Sequence, residues 1–98
     1  MSVLEVAQLH ITDGEAGAFE EAFVQAHQYL KAASGHLHSE LLRATEPSVG
    51  YLLLVRWRSI EEHVTGFVGS EEFQAFHDLI WPFFSVEPDV EHFTGVEV

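Results

Sequence analysis

The chain has 98 residues, 47% of them hydrophobic and 12% aromatic, and its 4 basic and 16 acidic side chains leave a net charge of −12. Nucleic acid is a poor partner for such a chain and an anionic membrane surface is disfavoured, because both favour clustered Lys and Arg. With no cysteine, disulfides, thiolate metal sites and a Cys nucleophile are excluded.

Residues 1–98 read as one domain. Val3–Thr12 predicts a first strand, with Ala7, Leu9 and Ile11 on one face and Leu4 and Val6 adding apolar groups to the other. Thr12-Asp13-Gly14-Glu15 then has the S/T-x-x-E form of a capping box. The helix it introduces carries Ala16, Phe19, Phe23, Ala26, His27 and Leu30 on one stripe, with Gly35 as its terminator. His36–Thr45 predicts a second strand, and Glu46-Pro47-Ser48-Val49-Gly50 a turn. Tyr51–Trp57 is a third strand, and its apolar run YLLLV predicts a central position covered on both sides. Ser59-Ile60-Glu61-Glu62 is a second capping-box pattern, opening a short helix to about Gly66. Ser70 caps a further helix, with Glu71 and Glu72 against the positive end of its dipole. Pro82 ends that helix by disfavouring helical geometry in Trp81. Asp89–Val98 completes the chain as a strand.

The order β-α-β-β-α-α-β predicts an α+β fold of the ferredoxin-like kind, an antiparallel sheet with helices on one face. The opposite face would stay bare, and packing two copies sheet to sheet would cover it, so a homodimer is expected. The N-terminus MSVLEVAQLH lacks the basic start and long apolar run of a signal peptide, and no stretch reaches the length of a membrane span. A cytoplasmic protein that does not enter the membrane is expected.

Seven histidines are the main candidates for chemistry. His77 shares a helical stripe with Phe73, Phe76 and Ile80. Desolvation there favours neutral imidazole, which can accept a proton or bind a metal. The competing reading is a packed histidine bonded to a carbonyl or carboxylate. His27 lies on the inner stripe of the first helix and could be a second polar group beside the same cavity. Arg56 or Arg58 could reach over the cavity mouth to hold a carboxylate or phenolate. His36, His38 and Glu40 alternate on one strand face, the ligand types of an Fe(II) or Zn(II) site. Neighbours on a strand face stand ~7 Å apart, too far to close on one ion, so no metal is expected. His10, His63 and His92 read as surface or interface residues. The acidic residues cluster at helix starts, where capping and solubility explain them.

Gly35-His36-Leu37, Tyr51 through Trp57 with Ser59 and Glu61, Ser70-Glu71-Glu72-Phe73-Gln74-Ala75-Phe76-His77, Pro82, Pro88-Asp89-Val90 and Phe93 occur in a familiar order. With them, nearly the whole chain resembles the antibiotic biosynthesis monooxygenase superfamily of dimeric α+β barrels. The resemblance implies a monooxygenase that needs no cofactor and acts on an aromatic, polyphenolic small molecule in an apolar pocket. It implies His77 as base or orienting group, Phe67, Phe73, Phe76 and Trp81 as walls, and His27 and Arg56 as pocket residues. Haem-degrading relatives use an Asn on the first strand, a Trp before the last helix and a His on that helix. Here those positions fall near Ala7 or Gln8, at Phe67 and at His77. The resemblance therefore implies, as alternatives, a haem protein with His77 as axial ligand or a non-catalytic domain that has kept the fold.

Overall fold

The computed structural model describes residues 2–46 and 50–98. Its strands are β1 Val3–Leu9, β2 His36–Arg43, β3 Tyr51–Trp57 and β4 Asp89–Phe93, and its α-helices are α1 Ala16–Lys31 and α2 Glu71–Ile80. A π-helical segment, Glu62–Phe67, precedes α2, and a 3-10 turn, Trp81–Phe83, follows it. The expected turn at Pro47, Ser48 and Val49 lies outside the described residues.

All strand pairs are antiparallel, in the order β2-β3-β1-β4. This is the ferredoxin-like arrangement expected from the element order. Alternation along β3 buries Tyr51, Leu53, Val55 and Trp57 and leaves Leu52, Leu54 and Arg56 half-buried. Of their β1 partners, Glu5, Ala7 and Leu9 are buried as well and Val3 is half-buried. Against this face α1 packs Phe19, Phe23, Ala26 and Leu30, and α2 packs Phe76 and Ile80. The double cover expected of β3 is therefore complete on the helix side alone. α1 is also pinned at its polar edge, where Glu20 accepts hydrogen bonds from Tyr51 Oη and from Arg43 Nη2 (2.6 Å).

Two expected serine caps form. Ser70 Oγ accepts from Phe73 N (3.1 Å) and Ser59 Oγ from Glu62 N (3.2 Å), as expected. The first capping box does not form. Gly14 has φ +84°, so residues 12–15 make a turn in which Glu15 N donates to Thr12 O, and α1 begins one residue later. Gly35 is not a left-handed terminator; α1 ends at Lys31, and a Cβ on Gly35 would collide with the Glu62 side chain. Its absence lets the π segment pack closely. α2 stops near Pro82, but Trp81 keeps helical dihedrals (φ −58°, ψ −34°) and the chain leaves through the 3-10 turn. β1, β2 and β4 end two to five residues short of their expected limits, and residues 94–98 lie exposed beyond β4.

Candidate active site

Beneath the helices is a cavity of about 390 Å³. The inward face of β1 and β3 supplies Glu5, Ala7, Leu9 and Leu53; β4 adds Val90 and His92. The π segment closes with a bond from Val68 N to His63 O (3.0 Å), the wide i→i+5 turn of that geometry. It sends both His63 and Phe67 inward, and both are buried. α2 lends Phe73, Phe76 and Ile80, and the turn after it Trp81 and Phe84. Phe67 meets Phe73 and Phe76 edge to face at 5.3 and 5.6 Å between centroids, a packing that favours rigid walls.

One end of this apolar space is polar. Glu5 is 6% exposed and His63 is 7% exposed. Glu5 Oε1 accepts from Trp57 Nε1 (2.9 Å) and lies 3.3 Å from His63 Nε2. His63 stacks on Trp57 (5.0 Å, 16°), and its Nδ1 is 2.8 Å from His92 Nε2. Burial pushes the Glu5 carboxyl up to about 7, against the Trp57 N–H, which favours the carboxylate. Burial pushes His63 down to about 4, with His92 adding to the effect. Between those values Glu5 is a neutral acid beside a neutral imidazole, so the contact is not an ion pair. Near pH 7 the carboxyl sits midway between acid and base, which suits proton transfer to or from a bound molecule.

The four expected aromatic walls, Phe67, Phe73, Phe76 and Trp81, do line the cavity. The three expected polar groups lie elsewhere. His77 is about 100° round the helix from Phe76, stacked on Trp81 (4.3 Å, 20°) with 37% of its side chain exposed. Its Nδ1 is buried without a hydrogen-bond partner among the described residues. His27 stacks on Phe23 and meets Ser39 Oγ through Nε2 (2.6 Å). The same hydroxyl meets His36 Nε2 (2.8 Å), and burial lowers the pKa of both histidines. Arg56 neighbours Leu4 and His38 in register, on the sheet face away from the helices, because strand alternation turns it opposite to buried Trp57. Arg58 is held by Glu62 (2.7 Å) and the Ser34 carbonyl.

The expected single face of His36, His38 and Glu40 is also corrected. A bulge between His36 and His38 sets His36 beside Trp57 on the helix side and His38 beside Arg56 on the other. Among the described residues no group of three His, Cys, Asp or Glu could hold a metal ion. Nor do the residues fit haem ligated by His77, whose imidazole lies outside the cavity lining. Trp81 and Phe84 stand in the cavity wall and leave the space open, while His77 is not part of its lining.

The polar groups that do face the cavity, Glu5, His63, His92 and Glu87, are not those singled out from the sequence. One signal was readable: the apolar face of β1 through Ala7 and Leu9 reaches Glu5 two residues back, and a carboxylate on such a face calls for a reason.

Comparison with known proteins agrees with this architecture. The family model described as antibiotic biosynthesis monooxygenase matches residues 2–79. YczJ, an uncharacterized protein of Bacillus subtilis strain 168, is 40% identical over 94 residues, spanning 96% of this chain and 99% of YczJ. A crystal structure from Bordetella bronchiseptica, named for the same family, aligns over 98% of both chains with TM-score 0.92 and 28% identity. SnoaB, a cofactor-independent oxygenase from Streptomyces nogalater, shares the fold at TM-score 0.83 and 15% identity, over 99% of this chain and 95% of SnoaB.

Proposed function

The chain belongs to the antibiotic biosynthesis monooxygenase family, and from that membership we propose that it is a cofactor-independent monooxygenase for a quinol-like aromatic molecule. The observation that carries this reading is the aromatic-walled cavity with the buried Glu5 and His63 side by side in its lining. That SnoaB, of the same fold, is a cofactor-independent oxygenase lends support.

The proposed step starts with a substrate whose acidic CH₂ or OH is set against Glu5. The carboxylate takes the proton, and the aromatic system becomes an electron-rich anion. The anion reduces O₂, one oxygen bonds to carbon, and the O–O bond breaks. The second oxygen leaves as water, taking up one proton delivered by Glu5 and a second hydrogen from the same carbon. Overall, a CH₂ and O₂ become a C=O and H₂O. The protein supplies the base and a dry cavity; the substrate supplies the electrons. The working form is proposed to be a homodimer.

Oxygen uptake with anthrone and related quinols tests the reading. Glu5→Gln keeps the size and the acceptor for Trp57 but cannot take a proton. It should lower kcat/KM by about 10²–10⁴-fold, while His77→Ala should stay within about twofold. Equal rates for Glu5→Gln and the parent would remove Glu5 as base. A failure of the parent to consume oxygen with the whole set would count against the oxygenase reading.

A further inference from the structure

Glu5 and His92 are directly opposed across β1 and β4, and His63 from the π segment bridges their side chains. The result is a continuous line, Glu5 Oε1 to His63 Nε2 (3.3 Å), then His63 Nδ1 to His92 Nε2 (2.8 Å). Exposure rises along it. Glu5 and His63 are buried, whereas His92 is half-buried on the edge strand. Trp57 donates to Glu5 from β3, and Glu87, also in the cavity lining, lies by Trp81 Nε1 (3.5 Å).

We propose that Glu5, His63 and His92 form a proton relay that carries the substrate's proton from the cavity to solvent, with His92 as the exchange station; it rests on the oxygenase reading above. An aromatic substrate filling the cavity displaces the water that would otherwise accept this proton. The relay moves one proton per position. Glu5 takes the substrate proton and passes one to His63 Nε2. His63 passes its Nδ1 proton to His92 Nε2, and His92 releases its Nδ1 proton to water. Glu5 is again a carboxylate, and both imidazoles have changed tautomer. The reverse sequence, started by water protonating His92 Nδ1, returns a proton through Glu5 to the departing oxygen and restores both tautomers. A relay rather than a lone base thus serves both halves of the reaction.

Two variants separate relay from scaffold. His92→Gln keeps a hydrogen-bonding group beside His63 but cannot accept and pass a proton. His92→Ala leaves room for added imidazole. Both should lower kcat by roughly ten- to a hundredfold with KM unchanged, and imidazole should restore the His92→Ala rate saturably. Full activity in His92→Gln, or no rescue of a folded His92→Ala, would overturn the proposal. A readout free of turnover is the exchange of the His63 ring N–H protons with water, followed by ¹⁵N-resolved NMR. It should slow at least about tenfold in His92→Gln. Unchanged exchange would sink the relay even if the parent consumes no oxygen, whereas slowed exchange in a protein without oxygenase activity would sink the oxygenase reading alone.

Discussion

Glu5 has the carboxyl of an acidic residue in the setting of a core residue. Its pKa rises from 4.5 to about 7, and at about 1.4 kcal/mol per pH unit the ionised form costs the fold about 3 kcal/mol. The folded protein holds a proton that the unfolded chain has released, so stability falls as pH climbs from 4.5 to 7. His63 has the opposite slope. Its pKa is depressed from 6.5 to about 4, so stability falls as pH drops through that window. The two slopes oppose each other between about pH 4.5 and 6.5. Glu5→Gln removes one of them. It should match the parent near pH 4 and exceed it by about 3 kcal/mol at pH 8, in urea denaturation at each pH. A gap that does not change with pH would mean that burial does not set the acidity of Glu5. A stability cost retained at one residue is what a site tuned for proton transfer would show. At this scale the sequence was only partly legible. The aromatic walls follow from helical spacing of Phe73 and Phe76. The polar end depends on His63 meeting His92 across 29 positions, a contact no local period announces. His36 was misplaced because a single bulged residue reverses the face of everything before it.

Among the elements, the π segment does most to shape the site. It turns both His63 and Phe67 inward, and it can approach the end of β3 because Gly35 presents no side chain to it. Glu62 cannot swing aside freely, since Arg58 grips its carboxylate and the obstructing atoms begin at its Cβ. Gly35→Ala should therefore cost about 1–3 kcal/mol, as overpacking does elsewhere, and shift the midpoint of thermal or urea unfolding accordingly. A loss below about 0.5 kcal/mol would show that the segment yields easily. The element order itself was legible, because strand alternation, the Ser59 and Ser70 caps and the stop near Pro82 all act over a few residues. The C-terminal limits of β1, β2 and β4 were not, nor were the two ends of α1. The left-handed backbone of Gly14 splits an apparent capping box, and Gly35 resembles a helix terminator while serving a packing contact with a residue 27 positions away.

For the molecule as a whole, the sheet has two unlike faces. One is covered by α1 and α2. The other carries Leu4, Val6, Leu52 and Leu54, half-buried in a single chain, with Leu42 and Phe93 at 42% and 48% exposure on the flanking strands. An apolar sheet face of this kind is rarely left to water, and a two-fold pairing of identical faces would cover it with one surface. The proposed dimer makes a sharp prediction at Leu54, on β3 between β1 and β2. Leu54→Glu removes the ~1.5–3 kcal/mol of a buried leucine from each copy and places two unpaired carboxylates in the interface. The parent should sediment at twice the 11.0 kDa chain mass, and Leu54→Glu at the chain mass, with the dissociation constant raised more than about a hundredfold. Because Leu54 points away from the cavity, the monomeric variant should still unfold cooperatively. A parent that sediments at the chain mass, or a Leu54→Glu protein that stays dimeric, would remove the sheet face as the meeting surface.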